Sequence, residues 1–288
     1  MHCTTFMVQY NNIKISRVKV ELKNVSFGYN PNKNVIENLS LNLEEGRFYG
    51  LLGKNGTGKT TLMKIISGIL FSKEGYVNIE GNNPRDRKLE TLQEIFMMPA
   101  DFTFPKMSLE KYVSLYSSFY PKFNKDILDD CLDSFEINKN IKSIDKLSLG
   151  EKHKIAVSLA ISFGTKLILF DEAANGMDIP TRKMFRKMLM KHIREDQTVV
   201  LSTHVVQDIE NLLTDIIVLR KGQKAFISSL DDIRSKYSFG IQSNEEGAIY
   251  SEPCAEGYRV ICNNTNNDNT EVSLELLFNA LTKEGGIL

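Results

Sequence analysis

Short apolar segments recur along the chain and are separated by longer stretches in which apolar residues return at helical spacing. Apolar runs without polar alternation are typical of parallel strands that are covered on both faces. Four segments of this kind predict core strands at residues 48–52, 167–170, 199–201 and 216–219. Residues 18–22 and 76–79 alternate more between apolar and polar side chains, which predicts half-buried antiparallel strands. We therefore expect a layered α/β core.

Two further regions differ from this core. Between about residues 100 and 163 the apolar positions fit helices, which predicts a helical lobe inserted between core strands. Its two helical series are Leu109, Tyr112, Val113 and Tyr116, and Ile127, Cys131, Leu132 and Phe135. Beyond residue 222 the chain is more polar, with a predicted exposed loop at 263–269 and a short amphipathic helix at 272–281. We predict a main domain at 18–222 and a C-terminal accessory region at 223–288.

The composition excludes several classes of protein. The 288 residues are 42% hydrophobic and 25% charged, which is ordinary globular usage, so overall disorder is not expected. The 36 basic residues balance 36 acidic ones, which argues against a dedicated nucleic-acid binder. No apolar run approaches the roughly 18 residues of a membrane-spanning helix, and the N-terminus does not fit a signal peptide. The four cysteines are scattered, and we expect reduced thiols of a cytosolic protein.

Residues 53–60, directly after the first core strand, match the phosphate-binding pattern G-x-x-x-x-G-K-[ST] at every fixed position. Its glycines let backbone N–H groups approach a triphosphate, and the following helix adds the positive end of its dipole. Lys59 is predicted to reach the β- and γ-phosphates, and the Thr60 hydroxyl to hold Mg²⁺. The alternative is a glycine turn that only caps a helix. The predicted nucleotide-binding residues here are Gly53, Asn55, Gly56, Thr57, Gly58, Lys59, Thr60 and Thr61.

Two carboxylates and one histidine follow predicted core strands. Parallel strands deliver the residues at their carboxyl ends to the ligand crevice of an α/β sheet. Asp171 is predicted to bind Mg²⁺ directly or through water, and Glu172 to polarise the attacking water as a general base. His204, after the strand at 199–201, is predicted to bind the γ-phosphate or that water. The alternatives are a solvated acidic turn and a structural histidine.

Residues 147–151, with the sequence Leu-Ser-Leu-Gly-Glu, precede a helical pattern. Ser148 and Glu151 fit a capping box, which requires no ligand. A glycine inside the first helical turn, however, costs up to about 1 kcal/mol relative to alanine. We therefore expect Gly150 to allow a phosphate close to this helix N-terminus, with Ser148 beside it.

In this order, the phosphate loop, the 147–151 motif, Asp171 with Glu172, and His204 resemble the nucleotide-binding subunit of an ABC transporter. The resemblance runs from about residue 18 to the end of the chain. It implies an α/β P-loop NTPase (RecA-like) fold: a mixed-sheet core, an antiparallel β subdomain, an inserted helical subdomain and a small C-terminal extension. It also implies that Tyr29 stacks on adenine and that Asp178 helps to couple two facing subunits.

Some positions depart from the family pattern. Ala100 stands where the family usually has glutamine, so either Asp101 substitutes for it or that contact is missing. The other departures are Leu149 for glycine, Glu151 for glutamine, and Ala173 and Ala174 after Glu172. They leave the resemblance intact and bear on catalytic rate and coupling.

The resemblance implies an ATPase that uses ATP and Mg²⁺ and acts as a homodimer or with a paired ATPase subunit. Ser148 and Gly150 of one subunit would close over ATP held by the other. It implies transmembrane permease subunits as partners, no nucleic acid, and a peripheral location at the cytoplasmic face of the cell membrane. Residues 273–281 resemble the C-terminal helix of drug- and polymer-exporting members, which favours export. The aromatic stretch where the family docks its membrane partner, about half of it expected to be core, comprises Phe102, Phe104, Tyr112, Tyr116, Phe119 and Tyr120.

Three alternative functions make different demands on the sequence. A GTPase needs an N-K-x-D guanine reader, and the candidate at 138–141 lacks the aspartate. A soluble ABC ATPase that acts on ribosomes or DNA usually carries two such cassettes or a long coiled coil, and neither is seen in this sequence. A regulatory module that does not hydrolyse is opposed by Glu172 and His204 and mildly favoured by Ala100. The transported substrate and the role of 223–288 are left open, with autoregulation and dimer support as alternatives for the latter.

Overall fold

The structure is a computed structural model and describes residues 18–203, 210–222, 224–265, 268 and 270–283. In this part of the chain, the strands are β1 Val18–Phe27, β2 Ile36–Glu44, β3 Phe48–Leu52, β4 Glu74–Ile79, β5 Ile95–Met98, β6 Leu167–Asp171, β7 Thr198–Ser202, β8 Asp215–Val218, β9 Phe226–Ser229, β10 Tyr237–Gln242, β11 Tyr250–Cys254 and β12 Gly257–Asn263. The α-helices are α1 Lys59–Ile66, α2 Leu89–Leu92, α3 Leu109–Ser117, α4 Lys125–Ser134, α5 Leu149–Ser162, α6 Ile179–His192, α7 Leu230–Lys236 and α8 Leu274–Thr282. No helix of this described part is long and apolar enough to cross a membrane.

The central sheet has six strands in the order β5-β6-β7-β3-β8-β9. The first five run parallel, and β9 pairs antiparallel with β8. The four predicted core strands are confirmed as β3, β6, β7 and β8, with their ends within one residue of the expected positions. Because β3, β6 and β7 are parallel, the segments that follow them meet at one edge of the sheet.

Both faces of this sheet are buried, which explains the continuous apolar runs. In β6, Leu167 and Leu169 pack into a cluster with α1 and the antiparallel sheet, whereas Ile168 and Phe170 pack into a cluster with α4, α5 and α6. Side chains alternate between the two faces of a strand, so each face needs its own apolar set. The helices on one face and the second sheet on the other provide that cover.

The second sheet is antiparallel, with the order β2-β1-β4. The strands predicted at 18–22 and 76–79 are confirmed as parts of β1 and β4, which pair with each other. Val20, Leu22 and Val25 of β1 are buried in the same cluster as Leu62 and Ile65 of α1. This packing fixes α1, and with it the loop before α1, between the two sheets.

The helices expected between residues 100 and 163 are present as α3, α4 and α5. Ser108 caps α3 by accepting a hydrogen bond from Lys111 N, and Asn124 caps α4 by accepting from Asp126 N and Ile127 N. Buried side chains of α4 pack on α5, which in turn packs on the central sheet. The division of the chain into domains stays a prediction.

The region after residue 222 contains more regular structure than its polar composition indicates. The predicted division at 222 separates β8 from β9, which the structure pairs. A third sheet with the order β10-β12-β11 follows, and none of its strands was predicted. The predicted helix at 272–281 is confirmed as α8, whose buried leucines belong to the same cluster as α4, α5 and α6. Part of the loop predicted at 263–269 lies outside the described residues.

Candidate active site

The loop between β3 and α1 contains glycines with left-handed backbones. Gly58 is the N-cap of α1 and has a left-handed backbone, with φ at 101°. A Cβ at Gly58 would lie 2.9 Å from Cδ1 of Ile36, and the left-handed backbone would strain any other residue. Gly56 also has a positive φ, at 79°. The chain therefore turns tightly into the N-terminus of α1, where the positive end of the helix dipole lies.

Lys59 places a cation inside this loop. Its Nζ donates hydrogen bonds to the carbonyl oxygens of Gly53 at 2.7 Å and Lys54 at 3.5 Å. Burial lowers the pKa of Lys59, and the nearby carboxylates of Glu172 and Asp171 oppose that shift. The loop thus encloses a buried ammonium group at the N-terminus of α1. This arrangement is suited to a phosphate chain.

Thr60 and Asp171 come together as the sequence predicts. Thr60 Oγ1 donates to Asp171 Oδ2 at 2.7 Å, and Ser202 Oγ donates to Asp171 Oδ1 at 2.6 Å. Asp171 is buried at the end of β6, directly opposite Ser202 of β7. A hydroxyl and a carboxylate oxygen at this distance are hard ligands of the kind that Mg²⁺ prefers, so the donor set fits this ion. Ser202 was not predicted as a site residue, although its position at the end of a core strand indicates the same edge of the sheet.

Glu172 begins a tight turn next to Asp171. Its backbone is left-handed, with φ at 51°, which is uncommon for a residue other than glycine. Glu172 N donates to Ser202 Oγ at 3.0 Å, and Asn175 N donates to Glu172 O at 2.9 Å. The side-chain amide of Asn175 donates to Oε2 of Glu172. These bonds hold a carboxylate beside the Asp171 site.

Two predictions near this edge of the sheet stay predictions, one for His204 and one for Ala100 with Asp101. His204 lies outside the described residues. Ala100 is half-buried and Asp101 is exposed, in the segment directly after β5. Whether Asp101 replaces the glutamine of the family pattern stays a prediction.

Ser148 and Gly150 lie at the N-terminus of α5, away from the phosphate loop. The capping box is present: Glu151 N donates to Ser148 Oγ at 3.3 Å, and Ser148 N donates to Glu151 Oε2 at 2.9 Å. The hydrogen bonds from Ser148 hold the pKa of Glu151 below its ordinary value. A Cβ at Gly150 would meet nothing within 4 Å, and Leu149 is 60% exposed. Among the described residues, no hydrogen bond joins Ser148 or Gly150 to the phosphate loop.

The comparisons with known proteins agree on the family of this chain. The family model described as ABC transporter matches residues 36–175. The ABC transporter ATP-binding protein YtrB of Bacillus subtilis is 29% identical over 220 residues, which are 76% of this chain and 74% of that protein. The uncharacterized ABC transporter ATP-binding protein YcbN of the same organism is 30% identical over 211 residues, 71% of this chain and 67% of that protein. The chain belongs to the family of ABC transporter ATP-binding proteins.

The fold agrees with this membership. A solved structure of an ATP-binding subunit of an ABC transporter matches with a TM-score of 0.69 and 24% identity, and covers 75% of this chain and 92% of that one. The P-loop NTPase fold expected from the sequence is therefore confirmed. ABC ATP-binding proteins as a family bind ATP, act as ATPases, dimerise and work with transmembrane components.

The roles expected for Tyr29 in adenine stacking and for Asp178 in coupling stay predictions, and the structure describes the surroundings of both residues. Tyr29 is 60% exposed between β1 and β2, and its hydroxyl lies 3.2 Å from Oγ1 of Thr61. Its ring lies nearly perpendicular to that of Phe27, with ring centroids 5.1 Å apart. Asp178 caps α6 by accepting from Thr181 N at 2.9 Å, and hydrogen bonds from the side chain and then the backbone of Thr181 lower the pKa of Asp178.

The aromatic stretch divides as expected into core and surface. Phe104 is buried, and Tyr120 stacks on Phe163 with ring centroids 4.2 Å apart. Tyr116 and Phe119 are exposed and contact each other edge to face. We call Tyr116 and Phe119, with the exposed Leu115, the α3 patch.

The C-terminal helix reaches the phosphate loop, a contact that the sequence did not reveal. Leu274 N at the start of α8 donates to Glu210 Oε1 at 2.9 Å. At its other end, the carbonyl of Thr282 accepts from Lys54 Nζ at 3.5 Å. The accessory region therefore lies beside the nucleotide site and is tied to the core by both ends of α8.

Proposed function

We propose that this protein binds ATP with Mg²⁺ and hydrolyses it to ADP and phosphate, as the subunit that powers an ABC transporter. The observation that carries the proposal is the hydrogen bond between Thr60 and Asp171. It joins the phosphate loop to the end of β6 through two oxygen donors, beside the buried ammonium of Lys59. Family membership supports ATP as the nucleotide.

Each residue of the loop edge has a chemical task in this proposal. Lys59 binds the β- and γ-phosphates, and the backbone N–H groups of the 53–61 segment surround them. Thr60 and Asp171 would hold Mg²⁺, which when bound neutralises charge on the phosphates. Glu172 accepts a proton from the attacking water, and His204 is expected to contact that water or the γ-phosphate.

The signature segment at the start of α5 supports a dimer. Ser148 is exposed and a Cβ at Gly150 would meet nothing within 4 Å in a single chain, although both residues match a motif that contacts phosphate in this family. We infer that a second ATPase subunit, either a copy of this chain or a related one, supplies its own phosphate loop to this face. Asp178, at the start of α6, would couple the two halves.

Transmembrane permease subunits are the proposed partners, and the protein would be peripheral at the cytoplasmic face of the membrane. The α3 patch supports this because exposed aromatic clusters mark interaction surfaces. Export is the proposed direction, on the resemblance of the C-terminal helix to exporting members. A soluble ABC ATPase or a regulatory nucleotide-binding module is the alternative.

Affinity purification from detergent-solubilised membranes separates these functions. We expect a stoichiometric multi-spanning protein to copurify with the wild type and to be lost with Phe119→Ser. Ile241→Ser is the matched control, because Ile241 is 53% exposed on β10 and Phe119 is 54% exposed. Capture of ribosomes or DNA in place of a membrane protein would contradict the transport role. Retention of the partner by Phe119→Ser would show that the docking surface lies outside the α3 patch.

A further inference from the structure

The backbone contacts of Glu172 fix its Cα, and contacts of the side chain itself are needed to fix the position of the carboxylate. Ser202 anchors the backbone N–H of Glu172 at two points, through Oγ at 3.0 Å and through its carbonyl at 3.2 Å. A general base works only when its carboxylate lies within hydrogen-bond reach of the reacting water. The Asn175 amide, which donates to Oε2, restricts the Glu172 side chain from within the same turn.

Asn175 is itself held by a buried histidine. His153 Nδ1 lies 2.7 Å from the carbonyl oxygen of Asn175. Because a carbonyl only accepts, Nδ1 carries the proton in this contact. His153 is buried on α5, and burial lowers its pKa, which favours the neutral ring. The ring of Phe102 packs against it, with ring centroids 5.3 Å apart.

We propose that Asn175 is a positioning residue for the Glu172 carboxylate and that His153 holds Asn175 in place. The two hydrogen bonds connect α5, which carries the 147–151 motif, with the carboxylate that acts on water in the same chain. A shift of α5 would thus change the position of the base. This inference rests on the proposed role of Glu172 in hydrolysis.

The main test is steady-state ATP hydrolysis by Asn175→Ala. Because hydrogen bonds to charged groups are stronger than neutral ones, we expect kcat to fall about 10- to 100-fold. KM and the Kd for a fluorescent ATP analogue should stay within about threefold of wild type, because the proposed role of Asn175 is exerted through the Glu172 carboxylate. Asn175→Asp should lose more, since it places a second carboxylate against Glu172. A wild-type kcat in Asn175→Ala would overturn the proposal.

Substitutions of His153 test the second bond. His153→Gln keeps a donor of similar reach, so its kcat should stay within about threefold of wild type. His153→Leu keeps an apolar filling but removes the donor, and its kcat should fall about tenfold with unchanged nucleotide affinity. Equal kcat values in these two variants would overturn the role of His153.

A fall of kcat caused by lower stability must be distinguished from a fall caused by a misplaced Glu172 carboxylate. Asn264→Ala is the matched control, because the Asn264 amide also holds a loop, through bonds to the carbonyls of Arg234 and Asp268. The melting temperatures of both alanine variants should fall similarly, and only Asn175→Ala should lower kcat. An equal fall of kcat in both would show a general effect of stability and overturn the proposal.

A double-mutant cycle ties the effect to Glu172. In single-turnover hydrolysis, Asn175→Ala should cause no further loss in a Glu172→Gln background, since the base is already absent. Additive losses would overturn the proposed link. If the wild type neither binds nor hydrolyses ATP, the proposed function fails together with this inference. If it hydrolyses ATP and Asn175→Ala does so equally fast, only this inference fails.

Discussion

The candidate site has two halves, the phosphate loop with Asp171 and the segment at the start of α5. The fold of a single chain accounts for the glycine of the first half but not for the glycine of the second. At the phosphate loop, a Cβ on Gly58 would clash with Ile36, and Thr60, Asp171 and Ser202 form a connected set of hydrogen bonds. At the start of α5, a Cβ on Gly150 would meet nothing, and Leu149 is largely exposed. The first half is complete within one chain, and the second half presents its motif to solvent.

This difference distinguishes a glycine that the fold requires from a glycine that the fold does not require. Gly58 is required by its own fold, because only glycine fits the left-handed cap against Ile36. Gly150 has no such reason within the described residues, and it weakens the first turn of α5 relative to alanine. We attribute Gly150 to the second ATPase subunit proposed above. Changes at the phosphate loop should therefore affect the isolated chain, and changes at Gly150 should act only when two chains meet.

The largest effect is expected from Lys59→Ala. Removal of the buried ammonium leaves the phosphate charge without its cation, so ATP affinity should fall about 10²- to 10³-fold. Titration with a fluorescent ATP analogue measures this loss in the isolated chain. Lys54→Ala is the matched control, because Lys54 lies in the same loop but extends towards Thr282. Equal affinities of Lys59→Ala and the wild type would refute the assignment of the phosphate loop.

A smaller effect is expected from Tyr29→Ala. The lost stacking surface should weaken ATP binding about tenfold, in the range measured for base–aromatic stacking. Tyr29→Phe removes only the hydroxyl contact with Thr61 and should bind within about twofold of wild type. The same titration compares the two variants. An affinity that changes with the hydroxyl and not with the ring would assign Tyr29 to the loop structure and not to adenine.

That Thr60 and Asp171 lie together could be predicted from the sequence, because the signals of the phosphate loop and of β6 are local. Residues 53–60 form a contiguous motif between a strand and a helix, and Asp171 ends an apolar run. The bonds of Asn175 could not be predicted in the same way. His153 is 22 residues away along the chain, and the turn depends on a left-handed Glu172 that no local pattern encodes.

The C-terminal sheet was missed for a different reason. Gly240 lies inside β10 and Pro253 inside β11, and both residues weaken a strand pattern. Pro253 is tolerated because β11 is an edge strand, where one side makes no ladder bonds. Polar composition after residue 222 was therefore a poor guide to order. The buried side chains of α8 gave the better signal, since they required a surface to pack on.

The most direct test of the two-chain site is the mass of Glu172→Gln in solution with Mg²⁺ and ATP, measured by size-exclusion chromatography with light scattering. Removal of the base should trap ATP, and we expect a dimer with ATP and a monomer without it. Gly150→Asp in the same background should still bind ATP but stay monomeric, because the added carboxylate would face the phosphate of the partner. A Glu172→Gln protein that is saturated with ATP and remains monomeric would contradict a site shared by two chains.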